Sequence, residues 1–214
     1  MTSIAANALH GLNSLSLTQI DQFTAPSSAP AEITSFTTEV LSAAVCINQL
    51  ISLLDQYDGF IVACFSDHPL VEMLREHTDK PVVGIMQASL IHATLLGNRF
   101  GIVTTNKEWE FLLNKSIHNM ALDHRCGGIK ATNISPVGLE LAGKDVINVA
   151  MSEAAGELVK NNGCDIIILG CAGMSGLKET MQQACLTMGL KASIIDPVVA
   201  GYEVLSGLIG AQKA

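Results

Sequence analysis

Two cysteines stand in matching contexts. Asp58-Gly-Phe-Ile-Val-Ala-Cys64 and Asp165-Ile-Ile-Ile-Leu-Gly-Cys171 each run from an aspartate through five mostly apolar residues to a thiol. Six residues beyond each thiol a leucine, Leu70 or Leu177, opens a helical pattern. Ser66 or Asp67 can cap the first of these helices, with Pro69 in its first turn, and Ser175 can cap the second. A thiol near a helix N-terminus meets free N–H groups and the positive end of the macrodipole. Both thiols are therefore expected to titrate below the usual value of about 8.5, toward neutrality. If they face each other across a cleft, one thiolate can take a proton from a carbon acid while the opposing thiol delivers one to the other face, which inverts the stereocentre. Such chemistry requires neither metal nor organic cofactor. The N–H groups of Phe65, Ser66, Ala172 and Gly173 lie where donors to a developing oxyanion belong.

The elements that must position these thiols follow from the pattern of apolar runs. Short β-branched stretches alternate with longer segments of helical period, as in an α/β protein with a mainly parallel sheet. Strands are expected over Gly59–Cys64, Pro81–Ile85, Arg99–Thr104, Asp165–Gly170 and Ala192–Ile195. Helices fit Ser35–Leu54, Pro69–His77, Lys107–Leu122, Asp145–Asn161, Leu177–Met188 and roughly Ala200–Ile209. In parallel sheets ligands sit beyond the carboxyl ends of strands, where Cys64 and Cys171 both fall.

The two halves read as copies of one α/β unit, each continuing from its cysteine through a helix to a further strand, Lys80–Ile85 and Lys191–Ile195. Residues 1–88 are expected to form the first unit and 89–195 the second, with 196–214 packing back on the first. The repeat also exposes a gap. Phe100–Thr104 precedes Cys171 by 71 to 67 residues, and the same offset before Cys64 falls ahead of Met1. The first copy is therefore expected to lack its opening strand, leaving its sheet with an unusual edge that a second copy of the chain could cover.

Competing assignments are weaker. His68, four residues after Cys64, could make a Cys–His nucleophile pair, but the first turn of a helix also favours a capping histidine, and Cys171 has no counterpart. His10, His77, His92, His118 and His124 show no ligand spacing, and the six cysteines form no CxxC pattern. Cys46, Cys126, Cys164 and Cys185 read as structural, with Cys164 about 20 Å from Cys171 at the other end of the intervening strand. Asp67 and Asp196 either line the cleft or cap helices. Lys178 and Glu179 read as solvated, and Trp109 as packing or an aromatic lid.

Composition narrows the partners. The 214 residues carry 20 acidic against 12 basic side chains, a formal charge of -8, which disfavours nucleic acid and anionic membrane surfaces. The first residues lack a basic signal-peptide start, and the most apolar run, Ile166–Ala172, is far below the roughly 20 residues a bilayer requires. A soluble, cytoplasmic protein with free thiols is the expectation.

The stretches Ala63-Cys-Phe-Ser-Asp-His-Pro-Leu70, Leu96-Gly-Asn-Arg-Phe-Gly-Ile-Val-Thr-Thr105 and Leu169-Gly-Cys-Ala-Gly-Met174 together resemble the hydantoin racemase branch of the Asp/Glu/hydantoin racemase superfamily, including its fungal members. The similarity runs through nearly the whole chain. It implies two flavodoxin-like parallel-sheet domains related by a pseudo-twofold axis. It also implies cofactor-independent two-base racemisation of a cyclic ureide, a 5-substituted hydantoin or allantoin, with Cys64 and Cys171 as the catalytic pair. By the same matching, Thr104 and Thr105 fall on a substrate-facing strand end. The family usually opens with a strand and an Asn-Pro-Asn turn, and this sequence begins at about the methionine after it. Alternatives are a binding protein of the same fold without turnover, or an isomerase or decarboxylase using a single cysteine.

Overall fold

The computed structural model describes Leu9 and residues 19–213. Among these residues six strands lie in two parallel sheets. β1 (Phe60–Val62) pairs with β2 (Val82–Gly84), while β3 (Phe100–Thr104), β4 (Cys126–Ala131), β5 (Ile166–Leu169) and β6 (Ser193–Ile195) form a second sheet in the order β4-β3-β5-β6. The helices are α1 (Phe36–Leu50), α2 (Leu70–Arg75), α3 (Ile85–Leu96), α4 (Glu108–Asn119), α5 (Pro136–Leu141), α6 (Lys144–Asn162), α7 (Lys178–Thr187) and α8 (Pro197–Gln212). β3 and β5, central in their sheet, are buried at every position, as expected of strands covered on both faces.

Local chemistry sets the element ends. Ser35 and Thr38 form a reciprocal capping box at the start of α1. Gly163, at φ 68°, ends α6 in the left-handed conformation that glycine adopts without strain. Asp196 caps α8, with Pro197 in its first turn, so that helix starts three residues earlier than its apolar period suggests.

Three elements were not expected from the sequence. α3 follows β2 directly, with Gly84 as its N-cap and no side-chain cap or turn residue to mark the change of period. β4 carries Gly127 and Gly128, the latter at φ 142°, next to a register shift against β3; glycines weaken a strand signal and here accompany an irregular edge. α5 is a six-residue helix opened by Ser135 and Pro136. Phe36–Gln56, 21 residues with an 18-residue stretch of mean hydropathy 1.4, is long and apolar enough by composition to cross a bilayer, which a search for unbroken apolar runs misses. Its stripe Ala43, Cys46, Ile47 and Leu50 packs against Leu70, Val71 and Leu74 of α2.

A shared core joins the halves: Ile85, Met86 and Leu90 of α3 meet Phe100, Ile102, Ile166 and Ile168 of the second sheet. The boundary at 88/89 drawn from the repeat lies inside α3. α8 packs against α3, β1 and β2. Among the described residues nothing pairs with the second edge of β1, and residues 19–23 run across a groove of about 670 Å³ from Gly59, Ile61 and Ala63.

Candidate active site

Cys64 lies two residues past the end of β1, in the loop that enters α2, and Cys171 lies two residues past β5. β5 is placed there by a close approach that only glycine allows. A Cβ on Gly170 would stand 2.8 Å from the Val103 carbonyl oxygen and 2.7 Å from Ile102 Cγ2. These contacts bring the end of β5 tightly against β3.

The sulfurs have different partners at the same offset. Cys171 Sγ accepts the Gly173 N–H at 3.3 Å, capping a single 3-10 turn, Ala172–Met174. Cys64 Sγ lies 3.4 Å from Ser66 Oγ. The charge of Cys171 adds to the rise of the Cys64 thiol. Cys64, His68 and Ala172 share the wall of a cleft of about 360 Å³ along the free side of β1.

Burial pushes the Cys64 thiol up to about 12, with Ser66 opposing and the charges of Glu39 and Cys171 adding to the rise. Burial likewise pushes Cys171 up to about 11, against the N–H groups of Gly173 and Met174. This reverses the expected shift toward neutrality. The helix termini here are weak: α2 has six residues and begins six positions after Cys64, and the turn after Cys171 is one 3-10 turn. A dipole confined to the first turn cannot offset desolvation of a buried thiolate.

The remaining expected residues divide by role. Phe65 packs its ring into the shared core, which leaves its backbone for a ligand, and Ser66 is buried beside Cys64. The Gly173 N–H is directed at Cys171 Sγ, so it serves the sulfur itself. Thr104 and Thr105 are buried at the end of β3. The Thr104 hydroxyl donates to the Gly170 carbonyl at 3.3 Å, which fixes the approach to Cys171.

His68 is 4% exposed and its Nδ1 accepts the Leu70 N–H at 3.3 Å, the capping arrangement; burial pushes it down to about 4. A ring nitrogen already holding the helix start is not a base for Cys64. Asp196 is likewise a cap, and more. Its carboxylate accepts the Ser175 hydroxyl at 2.6 Å, the Gly176 N–H at 2.7 Å and the N–H groups of Val198 and Val199, tying the loop after Cys171 to the start of α8. Asp67, Lys178 and Glu179 are exposed, and Trp109 is buried in the shared core. Cys164 packs against Gly101 and Gly127 at the far end of the second sheet. Among the described residues no three His, Cys, Asp or Glu side chains gather as a metal would need.

Sequence reasoning missed Glu39. It is 4% exposed, its Oε1 is enclosed without a hydrogen-bond partner, and burial raises its carboxyl. Its signal was legible: Glu39, Ser42, Ala43, Cys46, Ile47 and Leu50 form the buried stripe of α1, and an acid on an apolar stripe needs a reason.

This arrangement has relatives. An uncharacterised protein of Schizosaccharomyces pombe is 38% identical over 192 residues, covering 89% of this chain and 79% of its own. A hydantoin racemase of Pseudomonas sp. strain NS671 is 29% identical over 189 residues, covering 88% and 73%. The solved structure of the allantoin racemase from Klebsiella pneumoniae superposes with a TM-score of 0.77 at 27% identity, covering 87% of this chain and 74% of that one. The sequence profile of the Asp/Glu/Hydantoin racemase family matches residues 1–205, and with twin cysteine loops on two parallel sheets the chain belongs to that family of isomerases.

Proposed function

We propose that the chain is a cytoplasmic, cofactor-independent racemase of hydantoin-type cyclic ureides, a 5-substituted hydantoin or allantoin, with Cys64 and Cys171 as its two bases. The observation that carries this reading is the shared cleft lined by Cys64 and by Ala172, the neighbour of Cys171, with both cysteines at equivalent strand ends. In one direction the Cys64 thiolate takes the proton from the ring carbon, forming S–H as the C–H bond breaks. The electron pair moves onto the neighbouring carbonyl oxygen, where the N–H groups of Phe65 and Ser66 can stabilise it. The Cys171 S–H then protonates the opposite face of the carbon and becomes the thiolate. The reverse reaction exchanges the roles, so the protein needs one ionised sulfur at a time.

The names of two relatives, a hydantoin racemase and an allantoin racemase, support the substrate class. The test is polarimetry of single-enantiomer 5-substituted hydantoins and of allantoin with the wild type, Cys64→Ser and Cys171→Ser. Loss of optical rotation with the wild type alone supports the assignment, and racemisation by either serine variant refutes it. The open cleft beside Cys64 favours a second reading, a small-molecule-binding protein without turnover. Calorimetric binding of allantoin with no change of rotation would select it.

A further inference from the structure

The cleft that Cys64 and Ala172 share has a cover that belongs to no sheet or helix. Residues 19–34 run ahead of α1 without regular secondary structure, and Asp21, Gln22, Phe23, Ala25 and Ile33 of this segment line the cleft. Its tip is stiff: Pro26 and Pro30 bracket a turn in which the Ala29 N–H donates to the Pro26 carbonyl at 2.9 Å. Its exit into α1 is anchored, because Thr38 Oγ1 accepts the N–H groups of Thr34 and Ser35, each at 3.0 Å. Between tip and exit the segment reaches the other half of the molecule. Glu32 Oε2 accepts the Val137 N–H at 3.2 Å, across 105 residues of chain.

Val137 lies in the first turn of α5, where Ser135 accepts the Gly138 N–H at 3.0 Å. Glu32 thus takes a neighbouring N–H that has no acceptor within the helix. α5 in turn packs against the turn Ala172–Met174, whose Gly173 N–H is donated to Cys171 Sγ. One carboxylate therefore ties the cover of the Cys64 cleft to the element that supports the Cys171 turn.

We propose that Glu32 is the latch of a strap, residues 19–34, which closes the cleft over substrate and holds the Cys171 turn in register with Cys64; this rests on the racemase reading of the two cysteines. Released at Glu32, the strap swings on its anchored exit at Thr34 and opens a path to Cys64. Latched, it excludes water and holds the substrate between the sulfurs. Glu32 is a positioning residue and touches no reacting atom. The segment suits such a motion: among the described residues no strand pairs with it, and its one internal backbone hydrogen bond is that of the tip.

Two readouts on the whole protein test this. Without substrate, alkylation of Cys64 by iodoacetamide at pH 9, read by peptide mass spectrometry, reports how often the cleft is open. Cys185, 0% exposed in the core of the second half, is the internal reference. Glu32→Ala should speed Cys64 alkylation about tenfold relative to Cys185. Glu32→Gln keeps an oxygen that can accept the Val137 N–H and should stay within about threefold of the wild type. Equal acceleration of Cys64 and Cys185, no acceleration, or a Gln variant as reactive as Ala overturns the latch. Should Glu32→Ala lack a cooperative thermal transition, amide exchange of the wild type decides. Protection of the Val137 N–H by about tenfold or more supports the latch, and exchange at the unstructured rate overturns it. With 5-substituted hydantoin or allantoin as substrate, Glu32→Ala should lower kcat about tenfold, with Glu32→Gln restoring it; an unchanged kcat overturns the positioning role. A wild type that racemises neither compound while its alkylation pattern holds refutes the racemase reading and still supports the strap.

Discussion

Asp196 offers a test of how the loop after Cys171 is held. It is 4% exposed and accepts four donors: the Ser175 hydroxyl at 2.6 Å, the Gly176 N–H at 2.7 Å, the Val198 N–H at 3.0 Å and the Val199 N–H at 3.3 Å. Asp196→Ala removes the cap of α8, which costs about 1 kcal/mol. It also strips the buried Ser175 hydroxyl of its acceptor, at about 1–3 kcal/mol, while the exposed Gly176 N–H can turn to water. Adding the low ends gives about 2 kcal/mol. Asp196→Asn keeps a capping oxygen but turns an amide N–H₂ toward one of the donors, for a loss of about 1–2 kcal/mol. Urea unfolding followed by circular dichroism at pH 7 measures both. The reasoning is refuted if Asp196→Ala unfolds within about 0.5 kcal/mol of the wild type, the range of an ordinary surface change. It is equally refuted if Asn is no better than Ala.

Three further outcomes are expected. Gly170→Ala, whose Cβ would meet the Val103 carbonyl oxygen at 2.8 Å, should lower stability by about 3 kcal/mol, because backbone cannot yield as a side chain can; a urea midpoint unchanged from the wild type contradicts the close β3–β5 approach. His68 is held neutral with its titration pushed down to about 4, so the unfolded chain binds the extra proton between that value and about 6.5. Stability should therefore fall by about 2–3 kcal/mol between pH 7 and 4.5, and His68→Gln should remove most of that dependence in urea titrations at the two pH values. The same variant should keep racemising substrate on a polarimeter, since the ring caps α2; abolished turnover in a folded His68→Gln protein would point to a Cys–His pair.

The sequence carried the parts of the fold that local physics determines. Ile166–Leu169 and Phe100–Thr104 are legible as strands because a sheet covered on both faces demands unbroken apolar runs. The twin thiols are legible because the chain repeats its own strand-and-cysteine pattern. What escaped is what depends on contacts distant in sequence. β4 is a strand through pairing with β3, despite two glycines that argue for a loop. α3 hides because β2 runs into it without a turn. The direction of the thiol shifts depends on burial by both halves at once, which no local motif reports. Glu39 was visible as an acid on an apolar stripe, but the enclosure of its carboxyl emerges only when α1 packs in the folded chain.

The most direct measurement is isotopic. A single enantiomer of substrate is incubated with the protein in D₂O, and both enantiomers are recovered at early conversion. Two opposed sulfurs predict deuterium at the stereocentre of the newly formed enantiomer and essentially none in the starting one, because each face is served by its own base. Equal labelling of both enantiomers from the first turnovers contradicts this, since it means one group both removes and returns the proton.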